Sequence, residues 1–235
     1  MQRIAAIIPS FNSSRFIVKL IKEILRERDI SQIVVVDDSS PDGTFRLVEK
    51  KFGRNKRVKL IVRRKKGGRG SAVVEGFTYA LKNKNIDFLI EMDADFAHKP
   101  SDIPRFIEKA SEFDAVFGSR YLKNGGTINY SLPRRIFSFL ANSFISLILG
   151  ISITDYTSGF RCYKRLVLES IDLSSIRSRG FIALSEIAYK IHKKGLRIGE
   201  IPIKVVYFEE NESNFNFREI ADAFVGILKI RFAKD

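Results

Sequence analysis

Short apolar runs alternate with amphipathic segments through the first half of the chain. Almost every position inside the runs is apolar, which is typical of strands covered on both faces of a parallel sheet. The segments between them repeat apolar residues at intervals of three and four, as Ile17, Leu20, Ile21 and Ile24 do, and this spacing predicts helices. The predicted strands in this half are residues 4–8, 33–36, 58–62, 88–92 and 115–117. Four helices are predicted between them: the first begins after Ser13 or Ser14, the second covers about 45–52, the third begins within 67–71 and ends at 81, and the fourth covers 101–112.

This alternation predicts an α/β fold with a mostly parallel, Rossmann-like sheet and helices on both faces. Ligands bind to such sheets at the carboxyl ends of the strands. We therefore expect a site at that edge, because five charged residues follow predicted strand ends there: Asp37, Asp38, Asp93, Asp95 and Arg120.

The second half opens with a segment, residues 134–150, that is apolar around most of its circumference when drawn as a helix. Arg134, Ser138, Asn142 and Ser146 fall on one face at four-residue spacing. Such a helix is either buried in a core or lies in a membrane interface, and both interpretations stay open. The remaining predicted elements are helices at 166–171, 181–192 and, amphipathic, from 217 onward, and a strand at 198–208 that Pro202 would place at a sheet edge.

The length of 235 residues suits a single domain, 1–235. No secretory leader is predicted, because the first apolar run is short and Pro9 follows it. The apolar stretch 136–151 falls short of the roughly 20 residues of a membrane span. Cys162 is the single cysteine, which is compatible with a reducing compartment. We therefore expect a cytoplasmic protein that can lie on a membrane and does not clearly cross one.

The charge balance points to an anionic partner. The chain carries 41 Lys and Arg against 27 Asp and Glu, a formal charge of +14. Nucleic acid, an anionic membrane and phosphorylated substrates would all suit this excess. A nucleic-acid partner is disfavoured, because no DNA- or RNA-binding motif is present and the aromatic residues lie in core-like runs.

Two carboxylates, Asp93 and Asp95, directly follow the predicted strand 88–92. At this spacing both can turn toward one hard cation, and Mg²⁺ is usually held by one or two carboxylates together with substrate phosphates. The alternative is a solvated loop at the end of a strand.

Residues near the first two strand ends suit a nucleotide. Asp38 can accept hydrogen bonds from a base, and Phe11 can stack on it; for one of Asp37 and Asp38, turn formation is the expected role. Residues 67–70 are rich in glycine, and Lys65, Lys66 and Arg69 would add charge for phosphates. A plain turn remains an alternative, since the loop matches neither usual nucleotide fingerprint.

Four motifs resemble the family 2 inverting glycosyltransferases of the GT-A fold. They are IPSFN at 8–12, VVDDSSPDGT at 35–44, MDAD at 92–95 and GSRY at 118–121. The continuation looks like dolichyl-phosphate mannose synthases and other polyprenyl-phosphate glycosyltransferases, through RRI at 134–136, DYTSGFR at 155–161 and EIPI at 200–203. The resemblance covers roughly residues 3–230.

This resemblance implies a role for each matching residue. The substrate-binding set for the base and ribose would be Pro9, Phe11, Val36 and Asp38, with Ser13 where the family usually has an acidic residue. Asp93, Ala94 and Asp95 would hold the diphosphate and a Mg²⁺ or Mn²⁺ ion. The acceptor phosphate would meet Arg120, Arg134 and Ser138, and catalysis would rest on Asp95, Arg120 and Arg134.

The implied reaction is metal-dependent, inverting transfer of a hexose to a polyprenyl or dolichyl phosphate on the cytoplasmic face of a membrane. GDP-mannose is the foremost donor. Residues 1–121 would bind the nucleotide-sugar; 122–235, with an interfacial helix at 134–150, would bind the acceptor. A lipid phosphate is already ionised near neutral pH, since its second pKa is about 6, so this chemistry needs no general base.

Three alternatives remain open. Phe208 and Asn214 replace an Arg and a Lys that the family usually carries, so the donor could be a UDP-sugar such as UDP-glucose, or the chain could be a binding module without activity. A family 2 transferase acting on a sugar hydroxyl would need a carboxylate base, for which Asp155 and Glu186 are candidates. A processive polysaccharide synthase is excluded, because the chain has no Trp for its Q-x-x-R-W signature.

Overall fold

The computed structural model describes residues 2–178, 180–208 and 217–232, the first seven of the last range by their backbone only. Nine strands and eight α-helices are assigned in these ranges, with short 3₁₀ turns at Pro100–Asp102 and Leu173–Ser175. The strands are β1 (Ile4–Ser10), β2 (Ile30–Asp37), β3 (Val58–Val62), β4 (Phe88–Glu91), β5 (Ala115–Ser119), β6 (Gly126–Ile128), β7 (Arg161–Lys164), β8 (Ile198–Pro202) and β9 (Lys204–Val206). The helices are α1 (Ile17–Ile24), α2 (Thr44–Phe52), α3 (Arg69–Ala80), α4 (Ile103–Lys109), α5 (Leu132–Leu149), α6 (Arg165–Ser170), α7 (Ile182–Lys193) and α8 (Phe217–Phe232).

Seven strands form the central sheet in the order β3-β2-β1-β4-β7-β5-β8. All neighbours are parallel except at β7, which runs antiparallel to both β4 and β5. A separate two-stranded sheet pairs β6 with β9. The mostly parallel α/β fold predicted from the alternating pattern is confirmed.

The sheet is covered on both faces, as its near-continuous apolar strands require. Side chains alternate along β1, so Ile4, Ala6 and Ile8 join one apolar cluster while Ala5 and Ile7 join the other. Because β1, β2, β4 and β5 run in the same direction, their carboxyl ends meet at one edge of the sheet.

All five strands predicted in the first half of the chain are present, but two strands, β6 and β7, were not predicted. β7 has a charged residue at each end, Arg161 and Lys164, which hides the apolar signal of a four-residue strand. β6 is only three residues long and begins with Gly126. The predicted strand 198–208 is also wrong in extent: β8 ends at Pro202, at the edge of the main sheet as expected for proline, and β9 joins the second sheet.

Helix α5 begins at Leu132, two residues before its predicted start at residue 134. Pro133 suits the first turn, where its missing N–H costs nothing. The helix ends before Gly150, which adopts φ 69°, a left-handed conformation that favours glycine.

Most of α5 faces away from the core. Asn142, Ile145 and Leu149 are buried against the protein, whereas Leu132 and Leu147 are 68% and 81% exposed. In the described part of the chain, α5 is the one helix whose length of 18 residues and mean hydropathy would suffice to cross a membrane. Length and hydropathy alone do not establish a span, so the expected peripheral location stays a prediction.

Candidate active site

The two acidic residues at the end of β2 have different partners. Asp37 accepts hydrogen bonds from the backbone N–H and the hydroxyl of Ser40, at 2.8 and 2.6 Å, and so fixes the turn. Asp38 instead accepts from the guanidinium of Arg63 and from the backbone N–H of Gly68, the latter at 2.9 Å. The turn-forming role therefore belongs to Asp37, and Asp38 ties the end of β2 to the glycine-rich loop.

The other predicted nucleotide residues lie beside Asp38. Pro9 pairs with Val36 in the register of β1 and β2, and the side chain of Val36 is fully buried. Phe11 is 38% exposed, and the ammonium of Lys66 lies 3.7 Å from its ring centroid. Ser13 is buried and its backbone N–H donates to the Thr44 hydroxyl at 2.8 Å, which anchors the first loop to α2.

The D-x-D residues occupy the loop after β4, beside an arginine from α3. Arg69 donates from Nε to Asp93 at 2.7 Å, and its Nη1 lies 3.4 Å from Glu91. His98 Nε2 lies 3.4 Å from the other oxygen of Asp93. Asp95 accepts from the backbone N–H of Ala97 at 2.9 Å. Both predicted metal ligands thus lie together, and Asp93 is already paired with a cation.

These contacts shift the pKa values of Asp93 and Asp95 in opposite directions. Burial alone would raise the pKa of Asp93, but the charges and hydrogen bonds of Arg69 and His98 outweigh it and hold that pKa well below its usual range. Burial and then the negative charge of Asp93 raise the pKa of Asp95. Burial also raises the pKa of Glu91, whose Oε1 accepts from the Tyr163 hydroxyl at 2.6 Å.

Asp93 and Asp95 are the candidate ligands of a divalent cation. Across the described residues, no group of three or more His, Cys, Asp and Glu side chains is arranged to hold a metal ion. Asp93 and Asp95 alone nevertheless fit the way Mg²⁺ is usually bound, through one or two carboxylates with substrate phosphates completing the shell. The pair thus fits a cation that arrives with a diphosphate.

Arg120, at the end of β5, forms a buried two-pronged ion pair with Asp155. Its Nε and Nη2 lie 2.7 and 2.8 Å from the two carboxylate oxygens, and its side chain is 7% exposed. Nη1 donates to the Tyr207 hydroxyl at 3.0 Å and Nη2 to Thr157 at 2.6 Å. Arg120 therefore lies at the predicted edge with its guanidinium engaged, and its role toward an acceptor phosphate stays a prediction.

Both candidate general bases are also engaged in structural contacts. Burial would raise the pKa of Asp155, but the charge and hydrogen bonds of Arg120 outweigh it and lower that pKa. Glu186 accepts from the backbone N–H groups of Arg177 and Ser178, at 3.3 and 2.9 Å, and so holds the loop before α7. Both carboxylates are thus held by other groups of the protein while no ligand is bound.

The polar face of α5 reaches the Arg120 pair. The Ser138 hydroxyl lies 2.7 Å from that of Tyr121, and Asn142 Nδ2 lies 3.4 Å from the Thr157 hydroxyl that Arg120 also contacts. Asn142 accepts from the backbone N–H of Tyr156 at 2.7 Å, which docks α5 onto the loop before β7. Arg134 lies one turn before Ser138 on the same face.

Comparison with known proteins identifies the family. The model of "Glycosyl transferase family 2" matches residues 5–172. The chain is a family 2 glycosyltransferase. It is 32% identical over 227 residues to an undecaprenyl-phosphate mannosyltransferase of Micrococcus luteus, covering 97% of this chain and 93% of that protein. It is 33% identical over 224 residues to a polyprenol monophosphomannose synthase of Mycolicibacterium smegmatis, covering 94% and 84%.

The fold of this glycosyltransferase also resembles solved structures. Glucosyl-3-phosphoglycerate synthase from Mycobacterium tuberculosis, solved with Mn²⁺, UDP and glucosyl-3-phosphoglycerate, superposes with a TM-score of 0.70 at 16% identity, over all of this chain and 81% of that one. The same enzyme has been solved with Mg²⁺ and UDP. This likeness confirms the GT-A fold that the sequence motifs predicted.

Three residues of the glycosyltransferase site carry contacts that the sequence did not reveal. Arg69 was expected only to add charge for phosphates, but it contacts Asp93 directly. Arg63 and Tyr207 were not predicted, although they contact Asp38 and Arg120. Each contact joins residues at least 24 positions apart, so no local pattern could have indicated it. The contacts of Asn214 lie outside the described residues; Phe208 packs on Phe16 with ring centroids 4.8 Å apart.

Proposed function

We propose that this glycosyltransferase transfers mannose from a nucleotide-sugar, GDP-mannose foremost, to a polyprenyl phosphate at the cytoplasmic surface of a membrane. The two curated relatives described above carry names with that acceptor class and sugar, and they match nearly the whole chain. The observation that carries the proposal is the arrangement of α5. Its polar face, with Ser138 and Asn142, adjoins the Arg120 pair, while most of its exposed side chains are apolar.

The exposed part of α5 continues onto α8. The rings of Phe144 and Phe224 are in contact, with centroids 4.5 Å apart. We call the exposed side chains of the two helices the α5–α8 apolar surface, formed by Leu132, Ile136, Phe139, Leu140, Leu147, Phe224, Val225, Leu228 and Phe232. Contiguous apolar patches of this kind mark protein or membrane contacts. Arg135, Lys229 and Arg231 at its ends would attract anionic lipid.

The engaged carboxylates favour a phosphate acceptor over a hydroxyl acceptor. A hydroxyl nucleophile needs a base, and both Asp155 and Glu186 are engaged in backbone or ion-pair contacts. A phosphate monoester is already anionic and needs only cations to bring it toward an anionic donor. Arg134, on the same face as Ser138, would supply such a cation, and a guanidinium can bind a phosphate through two parallel hydrogen bonds.

The remaining roles follow the strand ends. Asp38 would accept a hydrogen bond from the ring N–H of the base, with Phe11 stacking on that base. Guanine and uracil both offer such an N–H, so this contact does not distinguish GDP from UDP. The assignment of mannose comes from the names of the two relatives. Asp93 and Asp95 would hold a Mg²⁺ or Mn²⁺ ion, which neutralises charge on the leaving diphosphate. The acceptor phosphate oxygen would attack C1 of the sugar as the C1–O bond to the diphosphate breaks, with inversion at C1.

A donor and acceptor matrix tests this proposal. Purified protein would receive GDP-mannose, UDP-glucose or another UDP-sugar, each with undecaprenyl phosphate in vesicles or with soluble sugars. Release of nucleoside diphosphate should require the lipid phosphate, should be fastest with GDP-mannose and should stop in excess EDTA. Turnover that depends on a soluble sugar and ignores the lipid would favour the hydroxyl-acceptor alternative.

A further inference from the structure

Arg69 places a positive charge inside the D-x-D site. Besides its contacts with Asp93 and Glu91, its Nη2 lies 3.3 Å from the carbonyl oxygen of Gly159. The side chain is 12% exposed, and the half-exposed ring of Phe181 lies over it, 5.7 Å from the guanidinium carbon. The guanidinium therefore lies beside the carboxylates that would hold the metal and the diphosphate, and it is largely buried there.

The backbone on both sides fixes this position. Gly68 precedes Arg69 with φ 86°, a conformation that side chains rarely adopt. Gly70 follows it so close to α7 that an added Cβ would lie 2.4 Å from Cβ of Ala183 and 3.1 Å from the Ser178 carbonyl oxygen. Arg69 is thus held between two positions that require glycine, and its side chain is directed onto Asp93.

The contact between Arg69 and Asp93 affects how a metal ion would bind at this site. Asp93 is neutralised by Arg69 before any metal arrives, so a free divalent cation must compete with the guanidinium for that carboxylate. Guanidinium groups bind phosphate oxygens through paired hydrogen bonds. A nucleoside diphosphate would give Arg69 a new anionic partner and would release Asp93 to the metal.

We propose that Arg69 is a ligand for the diphosphate of the donor and that it competes with the divalent cation for Asp93 while no donor is bound. The proposal rests on the nucleotide-sugar site described under the proposed function. It follows that the metal binds weakly alone and tightly only together with a nucleoside diphosphate.

Mn²⁺ binding to the full chain without nucleotide tests the competition. The free Mn²⁺ signal in electron paramagnetic resonance gives the affinity for wild type, Arg69→Met and Arg69→Lys. Removing a unit charge a few ångströms from the ion should tighten Mn²⁺ binding in Arg69→Met at least about tenfold. Arg69→Lys keeps the charge and should stay within about twofold of wild type. Arg64→Met is the matched control, because Arg64 is exposed on the loop before α3 and carries the same charge.

Calorimetry with GDP and GMP at saturating Mn²⁺ tests the ligand role. Arg69→Met and Arg69→Lys should both weaken GDP binding by at least about tenfold and GMP binding by much less, because only GDP presents a diphosphate. Arg64→Met should change neither affinity. Arg69→Lys decides this arm if Arg69→Met does not fold, since it keeps Asp93 and Glu91 neutralised.

Unchanged Mn²⁺ affinity in folded Arg69→Met would overturn the competition. An equal effect on GDP and GMP in either variant would overturn the ligand role. Failure of the nucleotide-sugar site itself looks different, because wild type would then bind neither GDP nor UDP with Mn²⁺.

Discussion

Gly159 offers a sharp perturbation of the D-x-D site. A Cβ added there would lie 2.3 Å from Nη2 of Arg69 and 2.7 and 2.9 Å from the two carboxylate oxygens of Asp93. The φ of Gly159 lies outside the left-handed region, so alanine brings no backbone strain at this position. Gly159→Ala therefore pushes directly on the groups that would hold the metal and the diphosphate.

The distances set the magnitude of the effect. Ordinary contact begins at 3.4 Å, so the Asp93 carboxylate must retreat by about 0.5–0.7 Å and the Arg69 guanidinium by about 1.1 Å. Metal sites tolerate ligand displacements of only about 0.2 Å. We expect affinity for GDP with Mn²⁺ to fall by about 10- to 100-fold, which is roughly 1.4–2.8 kcal/mol. The fold should lose only about 1 kcal/mol, the low end for overpacking, because side-chain ends can move aside.

Calorimetric titration of GDP in Mn²⁺ gives this affinity, and urea unfolding gives the stability. Gly226→Ala is the matched control, since its added Cβ would meet only side-chain carbons of Ile182, the nearest at 3.1 Å. The control should bind GDP as wild type does. If Gly159→Ala bound GDP and Mn²⁺ within twofold of wild type, the assignment of Asp93 and Arg69 to the donor site would be refuted.

Three further changes address the base, the acceptor and the buried ion pair. Asp38→Ala should weaken nucleotide binding by about 1.5–3 kcal/mol, the range for hydrogen bonds to a charged group, and unchanged affinity by calorimetry would assign Asp38 to the loop alone. Arg134→Ala should raise the apparent KM for polyprenyl phosphate and lower turnover while sparing nucleotide affinity, whereas Arg135→Ala should not; loss of nucleotide binding would contradict this. Because the pKa of Asp155 is lowered in the folded protein, its pairing with Arg120 stabilises the fold above about pH 4, and this contribution is lost as the pH falls further. In urea unfolding below that pH, the stability of Asp155→Asn should therefore fall less steeply with pH than that of wild type, by up to about 1.4 kcal/mol per pH unit. Equal slopes for the two proteins would refute this prediction.

The fold could be predicted from the sequence where consecutive residues are all buried. Runs such as 33–36 are apolar at every position because both faces of β2 are covered, and the sequence shows this directly. β7 could not be predicted, because Arg161 and Lys164 end a strand of only four residues, whose antiparallel place between β4 and β5 is set by its partners.

The sequence predicted which residues lie at the strand ends, but it did not predict the contacts between their side chains. The sequence placed Asp38, Asp93 and Arg120 at one edge, since parallel strands end together. It could not show that each is already paired in the absence of ligand, because the partners come from distant segments: Arg63, Arg69 and Asp155. Those pairs decide which oxygens and guanidinium groups a ligand must displace.

The central claim is transfer of a sugar to a lipid phosphate, and mass spectrometry of the lipid phase tests it most directly. Purified protein would be incubated with GDP-mannose, Mg²⁺ and vesicles that contain undecaprenyl phosphate, and then extracted with chloroform. We predict a hexosyl polyprenyl phosphate in the lipid phase, absent when the lipid phosphate or the metal is left out. Sugar found only in the aqueous phase, free or on a soluble acceptor, would contradict the account.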